Sequence, residues 1–202
     1  MTARRLLYAP FTLVALAATV VGCAAEPAPT EAPRPSQATE AVEAPEPAEE
    51  PTTQPAATTI PETCEQLLPL ATVQTYDPRL EAHPGVDAET QLSGMIGPKT
   101  MGTLQAGERQ LYCNWGTTGT GALSYLGAAI INDSAKAELV AALRDSVYEE
   151  VPADGAEAQF TQGQSYEHQH TDRIILDGDL LIAVSHTITG DFAQDAWARI
   201  RR

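Results

Sequence analysis

The sequence predicts an α+β domain in which helices cover one antiparallel sheet of about four strands. Short apolar runs alternate with Gly- and Pro-containing turns over residues 110–188, and helical segments with recognisable start signals lie before, between and after these runs. Asp177-Gly178 separates two of the runs, and this dipeptide is typical of a β-hairpin. The expected order of elements is α-β-β-α-β-β-α, with two to three helices on the sheet.

The predicted helices begin at capping residues. Residues 63–66 read Thr-Cys-Glu-Gln, which is the pattern of a capping box, and Pro69 should break the helix that follows. Asp133 or Ser134 should cap a middle helix, and residues 190–191 should open the last one. The side chains expected to be buried are Leu139, Val140, Leu143 and Val147 in the middle helix and Phe192, Ala196, Trp197 and Ile200 in the last helix.

The predicted strands follow a long segment that looks like a loop. Residues 77–108 are rich in Gly, Pro and Thr, so we expect mostly loop there. Residues 110–115 form a predicted strand, and residues 122–131 are apolar on both faces, which favours a central strand. Residues 165–176 and 179–188 are the two strands of the expected hairpin.

The first residues have the features of a lipoprotein signal peptide. Arg4 and Arg5 precede an apolar run that is too short for a membrane span, and residues 20–23 read Val-Val-Gly-Cys, which matches a lipobox. In such a signal a diacylglyceryl group is attached to the thiol, here that of Cys23, and a peptidase cuts before it. Two acyl chains give stable anchoring. The alternative is an ordinary secretory signal that is cut after Ala24 or Ala25.

The signal implies a division of the chain into three parts. Residues 1–22 are expected to be the signal peptide, and residues 62–202 a single disulfide-stapled globular domain. Residues 23–61 are expected to be the lipidated cysteine and a disordered tether. Pro, Glu, Ala and Thr dominate this tether and aromatic side chains are absent, so it cannot bury enough surface to fold.

The charge of the chain excludes some partners. The formal net charge is −15, and removal of Arg4 and Arg5 with the signal leaves 10 basic residues against 27 acidic ones. Such a chain repels nucleic acid and anionic lipid headgroups, so no nucleic-acid partner is expected. The expected membrane contact is the lipid on Cys23, which places the protein on the outer face of the bacterial cytoplasmic membrane.

Three cysteines are present, and the lipid would occupy one of them. Cys64 and Cys113 then remain in a compartment where disulfides persist, and a disulfide between them is the favoured interpretation. Closing a loop of about 50 residues stabilises a domain by about 4 kcal/mol. Two free buried thiols or a metal pair are the alternatives, although the chain has no Cys-x-x-Cys or Cys/His spacing that supports a metal.

Several motifs occur together in this chain: the lipobox, the Pro/Thr/Ala-rich linker, Cys-Glu-Gln-Leu-Leu-Pro at residues 64–69 and Cys-Asn-Trp at residues 113–115. In this combination the chain resembles small actinobacterial cell-envelope lipoproteins of unknown function, which share a C-x-x-L-L … C-x-W pattern. The long loop before Gln110 departs from a compact version of that pattern. The resemblance implies an envelope lipoprotein with two paired cysteines and no assigned activity.

Three histidines are candidate metal ligands. His168 and His170 alternate on one predicted strand and share a face, and His186 lies on the next strand. A two-residue turn at Asp177-Gly178 places His186 opposite Gln169 and away from the other two, whereas a three-residue loop places it beside them. Matching the apolar faces of the strands favours the three-residue loop. Three imidazoles on one face could hold Zn²⁺ or Cu²⁺, but surface histidines without a ligand role are commoner, so no cofactor is expected.

The chain carries no readable catalytic motif. The run Gly-Thr-Thr-Gly-Thr-Gly lacks the lysine of a P-loop, and Ser185 and His186 are neighbours that point to opposite faces of a strand. The sequence therefore favours a non-catalytic binding or accessory module of the cell envelope, whose partner is a small ligand, a cell-wall component or an envelope protein. The alternatives are a metal-dependent enzyme or metal-binding protein that uses the histidine face, and a structural adaptor in an envelope complex.

Overall fold

A computed structural model describes residues 58–165 and 169–202, and the structural statements below concern these residues. The signal segment, Cys23 and nearly all of the predicted tether lie outside the described residues. His168 lies outside them as well.

Seven strands form one sheet in the described part of the chain. They are β1 Glu81–Ala82, β2 Glu108–Gly116, β3 Leu123–Ile130, β4 Glu149–Val151, β5 Ala158–Gln162, β6 Thr171–Asp177 and β7 Leu180–His186. The spatial order is β1-β2-β3-β7-β6-β5-β4, and every neighbouring pair is antiparallel. The long strands β2, β3, β7 and β6 are adjacent, and the shortest strands, β1 and β4, form the two edges.

Six helical segments accompany this sheet in the described ranges. They are α1 Cys64–Leu67, α2 Leu70–Val73, α3 Ala88–Ser93, α4 Pro98–Ala106, α5 Asp133–Arg144 and α6 Phe192–Ile200. Side chains of α1, α2 and α6 are buried in one apolar cluster, which we call the first core. Side chains of α3, α4 and α5 are buried in another cluster, the second core.

The central strand β7 shows how the sheet separates these two cores. All seven of its residues are buried. Leu180, Ile182 and Val184 belong to the first core, whereas Leu181 and Ala183 belong to the second. Alternate side chains of a strand point to opposite faces, so helices cover the sheet on both sides. This double coverage explains why the strand sequences are nearly continuous apolar runs, a pattern more typical of parallel sheets.

Side-chain caps fix several helix starts as predicted. Thr63 Oγ1 accepts a hydrogen bond from Gln66 N at 3.3 Å, and Pro69 separates α1 from α2. Asp191 caps α6 by accepting from Gln194 N at 3.2 Å. The cap of α5 was predicted one or two residues too late, because Asn132 supplies it by accepting from Ala135 N at 2.9 Å.

The coarse prediction of an α+β fold with one antiparallel sheet is confirmed, but the number and order of its elements are wrong. The sheet has seven strands rather than about four, and the described part of the chain has six helical segments rather than two to three. Residues 77–108, predicted as loop, contain α3 and α4. Asp87 caps α3 by accepting from Thr90 N, and Pro98 follows Gly97 at the first position of α4. These start signals were outweighed by the Gly, Pro and Thr content of the segment.

One predicted core position in α5 is also wrong. Leu139 and Leu143 are buried, but the helix ends at Arg144, and Val147 is 71 % exposed. The apolar repeat continued past the helix end, where Tyr148 is the residue that enters the second core.

A disulfide joins the first helix to the sheet. Cys64 in α1 and Cys113 in β2 are bonded, with their Cα atoms 5.6 Å apart. Cys113 is buried in the first core, and Cys64 packs against the same cluster from its surface. The bond therefore fixes α1 beside β2.

Candidate functional site

The register of the β6–β7 hairpin separates the histidines that were predicted to meet. Asp177 pairs with Leu180 and Thr171 pairs with His186, so the turn consists of Gly178 and Asp179. His186 lies on the first-core face, where its ring centroid is 5.8 Å from that of Phe192. This register contradicts the predicted three-residue loop.

His170 lies on the other side of the sheet. Its Nε2 atom is 3.1 Å from the carbonyl oxygen of Met95, a residue that packs against the second core. The shared face predicted for His170 and His186 is therefore wrong. Matching apolar faces does not fix this register, because both faces of β6 are buried. Ile174 belongs to the second core and Ile175 to the first, so either register covers an apolar face. Within residues 58–165 and 169–202, no group of three or more His, Cys, Asp or Glu side chains is placed to hold a metal ion.

A buried carboxylate organises the second-core side of this strand end. Asp172 is fully buried, and the hydroxyl of Tyr148 donates to its Oδ2 atom at 2.7 Å. Burial and the nearby carboxylate raise the pKa of Tyr148 well above its usual range. His170 Nε2 lies 3.7 Å from Asp172 Oδ1. Ser185, paired with Asp172 across the strands, is fully buried. This enclosed cluster ties the segment after α5 to the sheet.

His186 is enclosed on the first-core side. His186 is 9 % exposed, and its Nδ1 atom donates to the carbonyl oxygen of Ile188. Burial lowers the pKa of His186, and the guanidinium of Arg173 lowers it further. The rings of Tyr76 and Trp115 pack on Phe192 beside it, with centroid distances of 4.8 and 6.0 Å. Trp115 therefore lies in the core, as predicted.

A groove runs along the outer edge of β2. A cleft of about 580 Å³ is lined by α1, by the segment from β1 to α3 and by residues 112–115 of β2. A second cleft of about 320 Å³ adjoins it at the β2–β3 turn, and both are lined by His83, Val86, Asn114 and Trp115. We call the two clefts together the edge groove.

The two walls of the edge groove stand on opposite sides of the sheet. Cys64 and Glu65 of α1 form the wall on the first-core side, and the disulfide holds this wall against β2. Asp87 and Glu89, at the start of α3, form the wall on the second-core side. Asn114, 8 % exposed, steadies that wall because its Nδ2 atom donates to Val86 O at 3.1 Å.

The floor of the edge groove is an open strand edge. The edge strand β1 pairs with β2 only at Trp115 and Gly116. Among the described residues, no strand pairs with the outer side of residues 108–114. Thr117 N donates to Ala122 O at 2.9 Å between the ends of β2 and β3, and main-chain groups alternate in direction along a strand, so those of Tyr112 and Asn114 face the outer side. Cys64 Sγ lies 3.4 Å from the carbonyl oxygen of Tyr112. An open edge of this kind is a template for pairing with another extended chain.

The edge groove is electronegative. The described residues that line it include the carboxylates of Glu65, Asp87 and Glu89 and include no lysine or arginine. Hydrogen bonds from Thr90 lower the pKa of Asp87, so this group is charged at neutral pH. Burial raises the pKa of Tyr112 to about 12, and the charge of Glu89 contributes to the rise.

Compared with family models, with curated proteins and with solved structures, the chain finds no match in any of the three. Over the described ranges, the chain forms no helix long and apolar enough to span a membrane.

Sequence reasoning did not single out the edge groove. It identified the disulfide cysteines and Trp115, but it placed His83, Asp87 and Glu89 in an undifferentiated loop. The available signal was Asp87 with Thr90 three residues later, which marks the helix start that builds one wall.

Proposed function

We propose that this chain is an extracytoplasmic lipoprotein, anchored through Cys23, whose folded part is a non-catalytic binding module of the cell envelope. The lipobox at residues 20–23 supports the anchor. The observation that carries the binding role is the edge groove, in which an open strand edge lies at the base of a cleft of about 580 Å³.

The burial of Asp172, Ser185 and His186 argues against catalysis by these three residues. Asp172 and Ser185 are fully buried, and His186 is nearly so. None of these three residues lines the edge groove. A general acid, base or nucleophile must come within hydrogen-bond reach of its substrate, and these groups are enclosed by the two cores instead.

The anchor is tested with Cys23→Ala in the full-length chain. We expect this variant to move from the membrane fraction to the medium, because no acyl chains remain to hold it. Ala24→Ser keeps the thiol and should stay in the membrane. Mass spectrometry of the mature wild-type protein should give an acylated Cys23 as its first residue. A Cys23→Ala variant that stays in the membrane fraction contradicts the anchor.

The binding role is tested by hydrogen exchange of the full-length chain in detergent, with and without solubilised envelope fraction. We expect the fraction to slow exchange at residues 110–114 and to leave β4, at the opposite edge, unchanged. Val86→Arg should abolish the effect because Val86, 42 % exposed, lines both clefts of the edge groove, and the change puts a long cationic side chain there. Val147→Arg is the matched control, since Val147 is exposed and does not line the groove. Unchanged exchange at residues 110–114 contradicts the role of the groove.

A further inference from the structure

The shape of the edge groove selects an extended chain as its ligand. The outer side of β2 presents main-chain groups at Tyr112 and Asn114, and the neighbouring position in a sheet lies about 4.8 Å away. A ligand backbone in that position adds a strand to the sheet, and main-chain hydrogen bonds supply the recognition.

The two walls select the side chains of such a ligand. Successive side chains of a strand point to opposite faces of the sheet. One set would therefore approach Glu65 beside the disulfide, and the alternate set would approach Asp87 and Glu89. All three of these wall residues are acidic, so a ligand with basic side chains is complementary to both walls.

Two nearby candidates for the occupant have the wrong charge or chemistry. Residues 24–57 carry seven glutamates and only one basic residue, Arg34, and they are rich in proline, which cannot donate to a strand ladder. A second copy of the chain would bring the acidic walls of two grooves together, and each copy has a net charge of −15.

We infer that the edge groove binds an extended, basic peptide segment of another protein, which pairs with the outer edge of β2 as an eighth strand. Lysine or arginine side chains of the segment contact Glu65 on one wall and Asp87 and Glu89 on the other. This inference rests on the proposed binding role and names the ligand class for the same groove.

The probes are three short synthetic peptides, titrated by calorimetry into the full-length chain in detergent. The first repeats Lys-Lys-Val-Val, so that lysines point to both faces of the added strand. The second replaces lysine with glutamate, and the third is the lysine peptide with alternate backbone nitrogens methylated. We expect the lysine peptide to bind and to slow hydrogen exchange at residues 110–114. The glutamate peptide should not bind, and backbone methylation should weaken binding by about tenfold because it removes ladder hydrogen bonds.

The charge complementarity is tested with Glu65→Gln, Asp87→Asn and Glu89→Gln combined in one variant. Each change removes a charge and keeps hydrogen-bonding atoms, and asparagine still caps α3. We expect the affinity for the lysine peptide to fall by about tenfold with an unchanged Tm, since exposed ion pairs contribute modestly. The matched control combines Asp145→Asn, Glu149→Gln and Asp154→Asn around β4, removes the same charge, and should lose less than about twofold.

The outcomes separate this inference from the proposed function. Equal binding of the methylated peptide, or no protection of residues 110–114, overturns strand addition. Equal losses in the groove variant and the β4 variant overturn recognition by the walls. If no peptide binds while envelope fraction still protects residues 110–114, the binding role stands and the peptide ligand is wrong. If neither the peptides nor the envelope fraction protect these residues, both the peptide inference and the proposed binding role are wrong.

Discussion

The two faces of the sheet are stabilised by different means. The first core, under α1, α2 and α6, contains a disulfide and an aromatic cluster around Phe192. Beside this cluster, the imidazole of His186 donates to the carbonyl oxygen of Ile188. The second core, under α3, α4 and α5, has no disulfide among its described residues and instead encloses the Asp172 carboxylate. A disulfide stabilises the folded state by restricting the conformations of the unfolded chain. A buried carboxylate destabilises the folded state when the groups that donate hydrogen bonds to it are removed. The two faces should therefore respond to different perturbations.

The largest effect is expected from removing the disulfide of the first face. Cys64→Ala with Cys113→Ala should lower the free energy of unfolding by about 4 kcal/mol, because the unfolded chain regains its loop entropy. Urea denaturation of the full-length chain measures the change, and reduced wild-type protein is the control that should give a similar value. A loss below about 1 kcal/mol would show that the disulfide contributes little to the stability of this face.

On the second face, Tyr148→Phe should cost about 1–3 kcal/mol, because it leaves the buried Asp172 without its phenolic donor. Tyr112→Phe is the matched control: the Tyr112 hydroxyl is buried and has no hydrogen-bond partner among the described residues, so its removal should be close to neutral. Urea denaturation of both variants at pH 7 gives the comparison. Equal losses in the two variants would mean that the Tyr148–Asp172 bond adds nothing beyond ring packing.

The first face should also be sensitive to acid through His186. Its folded-state pKa is lowered by burial, with Arg173 lowering it and Asp191 opposing. Below the unfolded-state pKa of about 6.5, the unfolded chain binds a proton that the folded chain excludes, so stability is lost as the pH falls, by at most about 1.4 kcal/mol per pH unit. Unfolding at pH 7.5 and 5.5 should show a smaller difference for His186→Gln than for wild type. The same difference in both proteins contradicts this assignment.

The smallest effect is expected from the exposed ion pair that links α4 to α5 over the second core. Lys99 Nζ lies 2.8 Å from Glu138 Oε2, and both side chains are largely in solvent. Glu138→Gln should therefore change the free energy of unfolding by less than about 1 kcal/mol, and added salt should remove the difference. A larger loss that persists in high salt would indicate that this contact, rather than the apolar residues beneath it, joins the two helices.

The sequence predicted local features better than features that depend on contacts between distant segments. The starts of α1 and α6 depend on Thr63 and Asp191, whose side chains bond to backbone only three residues away, so the signal lies within one short stretch. The register of the β6–β7 hairpin depends on which face of β6 packs in each core. Because both faces of β6 are apolar, the sequence does not distinguish the two registers. The strands β4 and β5 were missed because they are short.

The edge groove could not be predicted for a related reason. Its walls come from residues 63–65 and 83–89 and its floor from residues 112–115, which are brought together only by folding. The predicted disulfide already linked residues 63–65 to residues 112–115. The second was hidden because the composition of residues 77–108 suggested loop, although Asp87 marked the beginning of α3.

The position of Thr58 determines where mechanical load enters the fold. Thr58 is hydrogen-bonded to Asp179 in the β6–β7 turn, and Arg201 at the end of α6 donates to Thr58 at 2.7 Å. The β2–β3 turn beside the edge groove is at the other end of the sheet. A force applied through the preceding chain is therefore transmitted first to the Thr58–Asp179–Arg201 contacts. Under tension these contacts should part before the edge groove distorts at its end beside the β2–β3 turn.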